Sequence, residues 1–130
     1  MIKNSKLNVL GIMTGTSMDG VDISLINTNG TDFVKIKCEK SYKLNKNYQN
    51  VINNLIKNRP KKNNNKIKEY FLKKDDFVTD ILEKKIILFL KQKKINKKNI
   101  DLISISGQTV YHDPSNKISI QLGNGNKIAK

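Results

Sequence analysis

The sequence contains few of the residues on which disulfide and metal chemistry depend. Its 130 residues include one cysteine (Cys38), one histidine (His112), two prolines and no tryptophan. A lone cysteine cannot form an internal disulfide, and one histidine cannot build a histidine metal cluster. We therefore predict a reduced, cytoplasmic protein in which Cys38 is a small structural residue.

Long apolar segments are also lacking. The sequence has no run of about 18 apolar residues, which a membrane-spanning helix would require. Near the N-terminus, the apolar stretch 7–13 is interrupted by Asn8 and Gly11 and is followed by no cleavage signature. We expect no membrane span, no signal peptide and no membrane partner.

Arginine is scarce although the chain is strongly basic. The formal charge of +14 comes from 24 lysines and Arg59, set against 11 acidic residues. Nucleic-acid binders rely on the bidentate guanidinium group, and the lysine pairs here are scattered with few aromatic neighbours. Lysine, asparagine and isoleucine, which share AT-rich codons, make up close to half of the chain. We interpret the charge as codon drift on a permissive surface, and a basic nucleic-acid-binding module is the alternative.

Hydrophobic periodicity predicts an α/β fold. Alternating or continuous apolar runs indicate strands over 7–13, 21–26 and 33–42, joined by short turns into an antiparallel meander. A nearly continuous apolar run over 100–106 predicts a central, buried strand, and 118–122 a short fifth strand. A meander followed by a helical crossover to another strand is typical of a mixed α/β layer.

The middle of the chain has helical periodicity. A first amphipathic helix is predicted to end before Pro60, and a longer one to run from Asp75 to about Lys94. The intervening segment 61–68 is interpreted as a solvated polar loop. The apolar residues of the first helix are Tyr48, Val51, Ile52, Leu55 and Ile56.

The densest polar cluster, residues 14–22, lies on the turn between the first two strands. Its two glycines allow close backbone approach, and its hydroxyl and N–H groups can converge on an anion. Asp19 or Asp22 could hold a metal ion. Gly15 and Gly20 have the P-loop spacing, but Val21 and Asp22 stand where that motif requires Lys and Ser or Thr. A tight β-turn without a ligand is the alternative.

Two further clusters follow the predicted central strand. Residues 106–114 leave its carboxyl end, where ligands collect in open α/β sheets, and Gln108 and Thr109 can hydrogen-bond a polar substrate. His112 is interpreted either as part of this site or as a loop or capping residue. Residues 121–126 predict a strand end with a glycine turn.

Together, these clusters resemble the signatures of a known family. Residues 11–22 resemble the N-terminal signature of the anhydro-N-acetylmuramic acid kinases, 107–114 the second and 121–123 the third. There are two departures: Ser106 stands where the family usually has His, and Asn124 where it usually has Asp. The resemblance implies an actin, Hsp70 and sugar-kinase type (ribonuclease H-like) fold, here incomplete, with ATP and Mg²⁺ as cofactors.

The resemblance also implies the site residues. The substrate would be the 1,6-anhydro amino sugar of peptidoglycan recycling, contacted by Gln108, Thr109 and His112. The ATP-binding segment carries over onto Gly15, Thr16, Ser17, Met18, Asp19, Gly20, Val21 and Asp22. No metal ligand is assigned among these.

Length and domain organisation follow from the same resemblance. Residues 1–130 would form a partial N-terminal kinase domain with a phosphate-loop hairpin over 7–28, a helical segment over 46–95, and a central strand and sugar-side motifs over 100–126. The family's catalytic Asp lies beyond residue 130, so no catalytic residue is assigned and we predict that the chain alone is inactive. It would need the missing C-terminal part, or a homodimer partner. A non-functional gene remnant is the remaining alternative.

Overall fold

A four-stranded mixed sheet carries the first half of the fold. In the computed structural model, which describes residues 5–61 and 64–129, its strands are β1 (Leu7–Thr14), β2 (Gly20–Thr28), β3 (Val34–Lys43) and β4 (Leu102–Ile105). The strand order is β3-β2-β1-β4. The first three strands are antiparallel neighbours, and β4 is parallel to β1. The predicted α/β class and antiparallel meander are confirmed.

Helices connect β3 to β4 and cover the sheet. They are α1 (Lys46–Lys57), α2 (Asn64–Leu72) and α3 (Asp75–Gln92), and a short α4 (Gly125–Ile128) ends the described chain. The Asn45 side chain caps α1 by accepting a hydrogen bond from the Tyr48 amide at 2.8 Å. α3 carries Asp75 and Asp76 in its first turn and Lys91 in its last, which suits the helix dipole. Both helices predicted from periodicity are confirmed.

The segment interpreted as a polar loop is largely helical, so that prediction was wrong. α2 begins at Asn64, while residues 62 and 63 lie outside the described residues. Ile67 and Phe71, one helical turn apart, are 4% and 0% exposed. These two apolar side chains are enough to dock an otherwise polar helix on the core, because i and i+4 lie on the same helix face.

The strand predicted to be central lies at the sheet edge. β4 pairs with β1 alone among the described strands, and Leu102 is 53% exposed. Ile103 and Ile105, which are partly buried, pack against the core. The apolar run correctly predicted a strand, but its place in the sheet depends on which strands flank it, and a local pattern carries no such information.

A second, two-stranded sheet follows β4. It is the antiparallel hairpin of β5 (Gln108–Asp113) and β6 (Ile118–Leu122). The fifth predicted strand corresponds to β6, whereas β5 was missed because its residues were treated only as a polar motif. His112 therefore lies on a strand, and its interpretation as a loop residue was wrong.

One face of the large sheet supplies the core. Cross-strand pairs on that face, Leu10 with Leu25 and Ile12 with Ile23, are almost completely buried under the helices. A bulge between Leu25 and Ile26 shifts the register with β3, and beside this bulge Ile36 is exposed near the start of β3. In the described part of the chain, every helix is too short or too polar to span a bilayer.

Candidate functional site

The loop between β1 and β2 is a tight turn with an unusual residue in its left-handed position. The Met18 amide donates to the Gly15 carbonyl at 3.2 Å, and Met18 itself has φ of 61°. The Ser17 hydroxyl donates to the Asp19 carboxylate at 2.7 Å. Gly20 instead allows a close approach, since a Cβ there would lie 3.1 Å from the Tyr42 carbonyl oxygen. Gly20 thus serves packing, and Met18 takes the left-handed position of the turn.

This loop presents free backbone donors. Among the described residues, none accepts a hydrogen bond from the amides of Thr16 or Ser17. Thr16, Ser17 and Asp19 are exposed. Successive unpaired N–H groups in a turn form an anion-binding concavity. The loop can therefore receive a phosphate oxygen without giving up any bond that it already makes.

The second polar cluster contacts the base of this loop. The Thr14 hydroxyl, at the end of β1, donates to the Gly107 carbonyl at 2.6 Å. The Gln108 amide nitrogen donates to the Gly15 carbonyl at 3.2 Å. These bonds join residues 93 positions apart in the sequence. The structure thus brings together the first two clusters that the sequence singles out.

Gln108 is completely buried, and both ends of its amide have protein partners. Its nitrogen also donates to the Thr109 carbonyl at 3.2 Å, and its oxygen accepts from the Tyr48 hydroxyl at 2.9 Å. Burial raises the pKa of Tyr48 far above its usual range, so this hydroxyl remains a donor. A sugar contact by Gln108 stays a prediction, and it would require the amide to leave these partners.

The third cluster packs against the second at backbone distance. Gly107 has φ of 72°, and a Cβ there would lie 2.7 Å from the Leu122 carbonyl oxygen. Gly123 has φ of 133° and lies beside the Gly107 Cα, which would be 3.5 Å from an added Cβ. Both positions require glycine, for conformation and, at Gly107, for space. The third cluster therefore contacts the second, which in turn bonds the base of the first hairpin turn.

The start of α3 fixes the third cluster in place. The Asp75 carboxylate accepts from the Gly123 amide at 2.8 Å, and the buried Thr79 hydroxyl accepts from the Asn124 amide at 2.9 Å. Asn124 caps α4 through its side-chain oxygen, which accepts from the Lys127 amide. Asn124 therefore keeps the side-chain oxygen acceptor that an Asp at this position would provide. The sequence interpretation missed Asp75 and Thr79; a threonine within an apolar helix face was the available signal.

Thr109 and His112 share the exposed side of the second hairpin. A register shift between Thr109 and Tyr111 brings Thr109 opposite Gln121 and His112 opposite Ser119. The Gln121 amide donates to the Ser119 hydroxyl at 2.6 Å, so these partners lie on one face. Gln108 lies on the opposite, buried face. Two of the three predicted sugar contacts are therefore side by side, together with two further polar residues.

Two carboxylates, Asp19 in the loop and Asp22 on β2, are candidate ligands for a magnesium ion that is shared with phosphates. Asp19 and Asp22 are both exposed, and the Asp22 carboxylate accepts from the Ser41 hydroxyl. Magnesium binds through one or two carboxylates together with waters and phosphate oxygens. Within the described residues no group of three or more His, Cys, Asp or Glu side chains forms a metal cage. The residues present thus fit a nucleotide-borne Mg²⁺.

A family model described as anhydro-N-acetylmuramic acid kinase matches residues 7–130. The chain belongs to this family. Three relatives, each described as an anhydro-N-acetylmuramic acid kinase, come from Pelagibacter ubique, Bradyrhizobium diazoefficiens and Rhizobium etli. Their identities to this chain are 37%, 29% and 29%, over 92%, 95% and 93% of its length.

The matches cover nearly all of this chain but a small share of each relative. The aligned regions make up 32%, 34% and 33% of the Pelagibacter, Bradyrhizobium and Rhizobium proteins. The chain thus spans about a third of the length of the curated relatives that it matches. The recognition of the family from residues 11–22, 107–114 and 121–123 is confirmed, as is its extent from near Leu7 onward.

Proposed function

We propose that this chain supplies the phosphate-loop and sugar-side parts of a kinase that acts on 1,6-anhydro-N-acetylmuramic acid in cytoplasmic peptidoglycan recycling. In this reaction, water adds to the sugar carbon that is bridged to O6 and gives a proton to the catalytic base, the bond between that carbon and O6 breaks, and O6 takes the γ-phosphoryl group of ATP. The products are N-acetylmuramic acid 6-phosphate and ADP. The observation that carries the proposal is the set of contacts among three separate motifs: the second bonds the base of a turn with free backbone donors, and the third packs against the second.

The first hairpin would bind the nucleotide phosphates. The unpaired amides of Thr16 and Ser17 would receive phosphate oxygens, and the exposed carboxylates of Asp19 and Asp22 would hold Mg²⁺ directly or through water. When bound, Mg²⁺ neutralises charge on the phosphates. The proposed nucleotide-binding segment also includes Gly15 and Met18, which shape the turn. Its remaining members, Gly20 and Val21, are the first residues of β2.

The second hairpin would face the sugar. Thr109 and His112 lie on its polar side, where hydroxyl and imidazole groups can hydrogen-bond the hydroxyl and amide groups of an amino sugar. The buried side of the same hairpin, through Gln108, contacts the phosphate loop. One hairpin would in this way link the sugar surface to the nucleotide surface.

Catalytic turnover would require a further part of the kinase that is not present in this sequence. Phosphoryl transfer depends on positioning and charge neutralisation around the γ-phosphate from both sides. We propose that the catalytic base is contributed by the part of the family's length that is missing here. The 130-residue chain alone is expected to bind Mg²⁺–ATP weakly and to release no ADP in the presence of the anhydro sugar.

Two measurements on the 130-residue chain test the proposal. A coupled ADP-release assay with the anhydro sugar is expected to give the background rate, and robust turnover would show that the minimal catalytic unit is smaller than proposed. Titration of ¹⁵N-labelled chain with Mg²⁺–ATP is expected to shift the amide signals of residues 15–22. Shifts confined to other regions would overturn the phosphate-loop assignment.

A further inference from the structure

We propose that Tyr48 and Gln108 are positioning residues that aim the Thr16 amide outward, toward the phosphate that this loop is proposed to bind. This inference rests on the proposed function, because it concerns how one backbone donor of the proposed phosphate loop is oriented toward its ligand. Neither side chain would touch the nucleotide, since Tyr48 is 1% and Gln108 0% exposed. They would act through one peptide group, the one between Gly15 and Thr16.

The orientation of the Gln108 amide is dictated by its neighbours. Two carbonyl oxygens, those of Gly15 and Thr109, lie 3.2 Å from its nitrogen. Carbonyls can only accept, so the NH₂ group must face them and the amide oxygen must face the other way. There it meets the Tyr48 hydroxyl, which donates at 2.9 Å. Tyr48 thus completes the set of partners that keeps the amide in this orientation.

Holding the Gly15 carbonyl also fixes the Thr16 amide. The carbonyl of Gly15 and the N–H of Thr16 belong to one peptide unit, which is planar and trans. In a trans peptide the two groups point in opposite directions. Because the buried Gln108 side chain bonds the Gly15 carbonyl, this carbonyl points toward the protein interior and the Thr16 N–H points away from it. Thr16 is exposed, which agrees with this direction.

Without Gln108, the carbonyl would keep a single donor, the Met18 amide within the same turn. Rotation of the Gly15–Thr16 peptide would then cost less, and it would turn a carbonyl oxygen toward the phosphate in place of a donor. Gly15 favours such rotation because it lacks a Cβ. Loss of this one orientation is therefore expected to weaken phosphate binding even though the fold is retained.

The first test is Tyr48→Phe, with Tyr70→Phe as the matched control. Each change deletes one hydroxyl that hydrogen-bonds inside the protein; the Tyr70 hydroxyl donates to the Leu55 carbonyl at 2.7 Å and has no link to the loop. Tyr48 also stacks on Phe77, a contact that Phe preserves. For Tyr48→Phe we expect a Kd for Mg²⁺–ATP about five-fold higher and a shifted Thr16 amide signal. For Tyr70→Phe we expect no change in either.

A second variant, Gln108→Met, covers the case in which Tyr48→Phe fails to fold. Met conserves the volume of the buried side chain and removes both hydrogen-bonding ends. The Thr16 amide is expected to exchange its hydrogen with a different protection factor in this variant, and the Kd for Mg²⁺–ATP to rise by about ten-fold. An unchanged Thr16 signal in a folded variant would overturn the positioning role.

The two proposals fail in different ways. If the unmodified chain does not bind Mg²⁺–ATP, the proposed phosphate loop is wrong, while the Thr16 signals in the variants still report whether the pair positions this peptide. If the unmodified chain binds and the folded Tyr48→Phe variant binds equally well with an unshifted Thr16 signal, the positioning role is wrong and the proposed function stands. Equal effects of Tyr48→Phe and Tyr70→Phe would also contradict the inference.

Discussion

The two hairpin turns of the large sheet differ in how their backbone groups are bonded; we call the turn between β2 and β3 the closed turn and the turn between β1 and β2 the open turn. In the turn between β2 and β3, the Asn29 side-chain oxygen accepts from the backbone amides of residues 31–33 at 3.0–3.2 Å. The Gly30 amide donates to the Thr28 hydroxyl at 3.0 Å. The backbone amides of this turn are therefore bonded by side chains of the same turn. Among the described residues, these side chains make no hydrogen bond to a distant element.

The turn between β1 and β2 leaves donors free and is held from outside. Its carbonyl at Gly15 is bonded by Gln108 from β5, and the residue before it, Thr14, bonds Gly107. The amides of Thr16 and Ser17 meanwhile face no acceptor among the described residues. The difference is in where the bonds of each turn go: in the turn proposed to bind phosphate, the Gly15 carbonyl is bonded by the scaffold, while the amides of Thr16 and Ser17 have no acceptor among the described residues.

The largest expected effect comes from the glycine that contacts the open turn. In Gly107→Ala, the new Cβ would lie 2.7 Å from the Leu122 carbonyl oxygen, at φ of 72°. We expect the free energy of unfolding in urea to fall by about 3 kcal/mol, since strain and backbone clash combine. The matched change in the closed turn, Gly30→Ala, has φ of 81° and nothing within 4 Å, so about 1 kcal/mol is expected.

Equal losses in the free energy of unfolding of Gly107→Ala and Gly30→Ala would contradict this difference between the two turns. That result would mean that left-handed conformation alone sets the cost, and that Gly107 has no special contact with the third motif. A loss of stability in Gly107→Ala with unchanged amide signals over residues 15–19 would show instead that the open turn does not depend on the Thr14–Gly107 contact.

Local patterns in the sequence predicted most elements of the fold. β1, β2, β3, α1 and α3 were all expected because alternation and 3.6-residue periodicity report burial within one element. α2 was missed because only Ile67 and Phe71 mark its buried face, and lysine and asparagine surround them. The edge position of β4 could not be predicted, since it is set by strand pairing across the whole chain.

The site was predicted as three motifs but not as an arrangement. The sequence identified Gln108 as a polar group near the substrate, whereas the structure buries it against Tyr48 and the Gly15 carbonyl. The decisive feature is the register shift in β5, which places Gln108 inward and His112 outward. A bulge changes the phase of side chains without any clear mark in the sequence, so strict alternation gives the wrong face.

The second prediction separates stability from binding in the two turns. Asn29→Ala removes the acceptor for three backbone amides, so we expect a loss of about 1–2 kcal/mol in the free energy of unfolding. Binding of Mg²⁺–ATP should not change. Ser17→Ala, which deletes an exposed hydroxyl bonded to Asp19, should change stability by less than about 0.5 kcal/mol but weaken Mg²⁺–ATP binding. If Asn29→Ala instead weakened Mg²⁺–ATP binding and Ser17→Ala did not, the proposed phosphate site would be in the wrong turn.

The smallest effect concerns the carboxylate of the closed turn. The hydrogen bond from the Asn29 side-chain amide, with a lesser one from Thr31, holds the pKa of Asp32 below its ordinary value of 3.8. A depressed folded pKa contributes stability above the unfolded value, and this contribution is lost as pH falls through the folded pKa. Unfolding curves of the unmodified chain and Asp32→Asn should therefore converge below pH 3.8. Asp32 is fully exposed, so solvent and salt keep the difference small.

A carboxyl NMR titration locates the cause of this shift. In Asn29→Ala the pKa of Asp32 should return toward its ordinary value, because the side-chain donor is gone. Asp113 is the control: Asn116 lowers its pKa in the same way, from the second hairpin, where Asn29 makes no contact. Movement of both pKa values in Asn29→Ala would point to a general loss of structure. Movement of Asp32 alone would show that the closed turn satisfies its charges, like its backbone amides, with its own side chains.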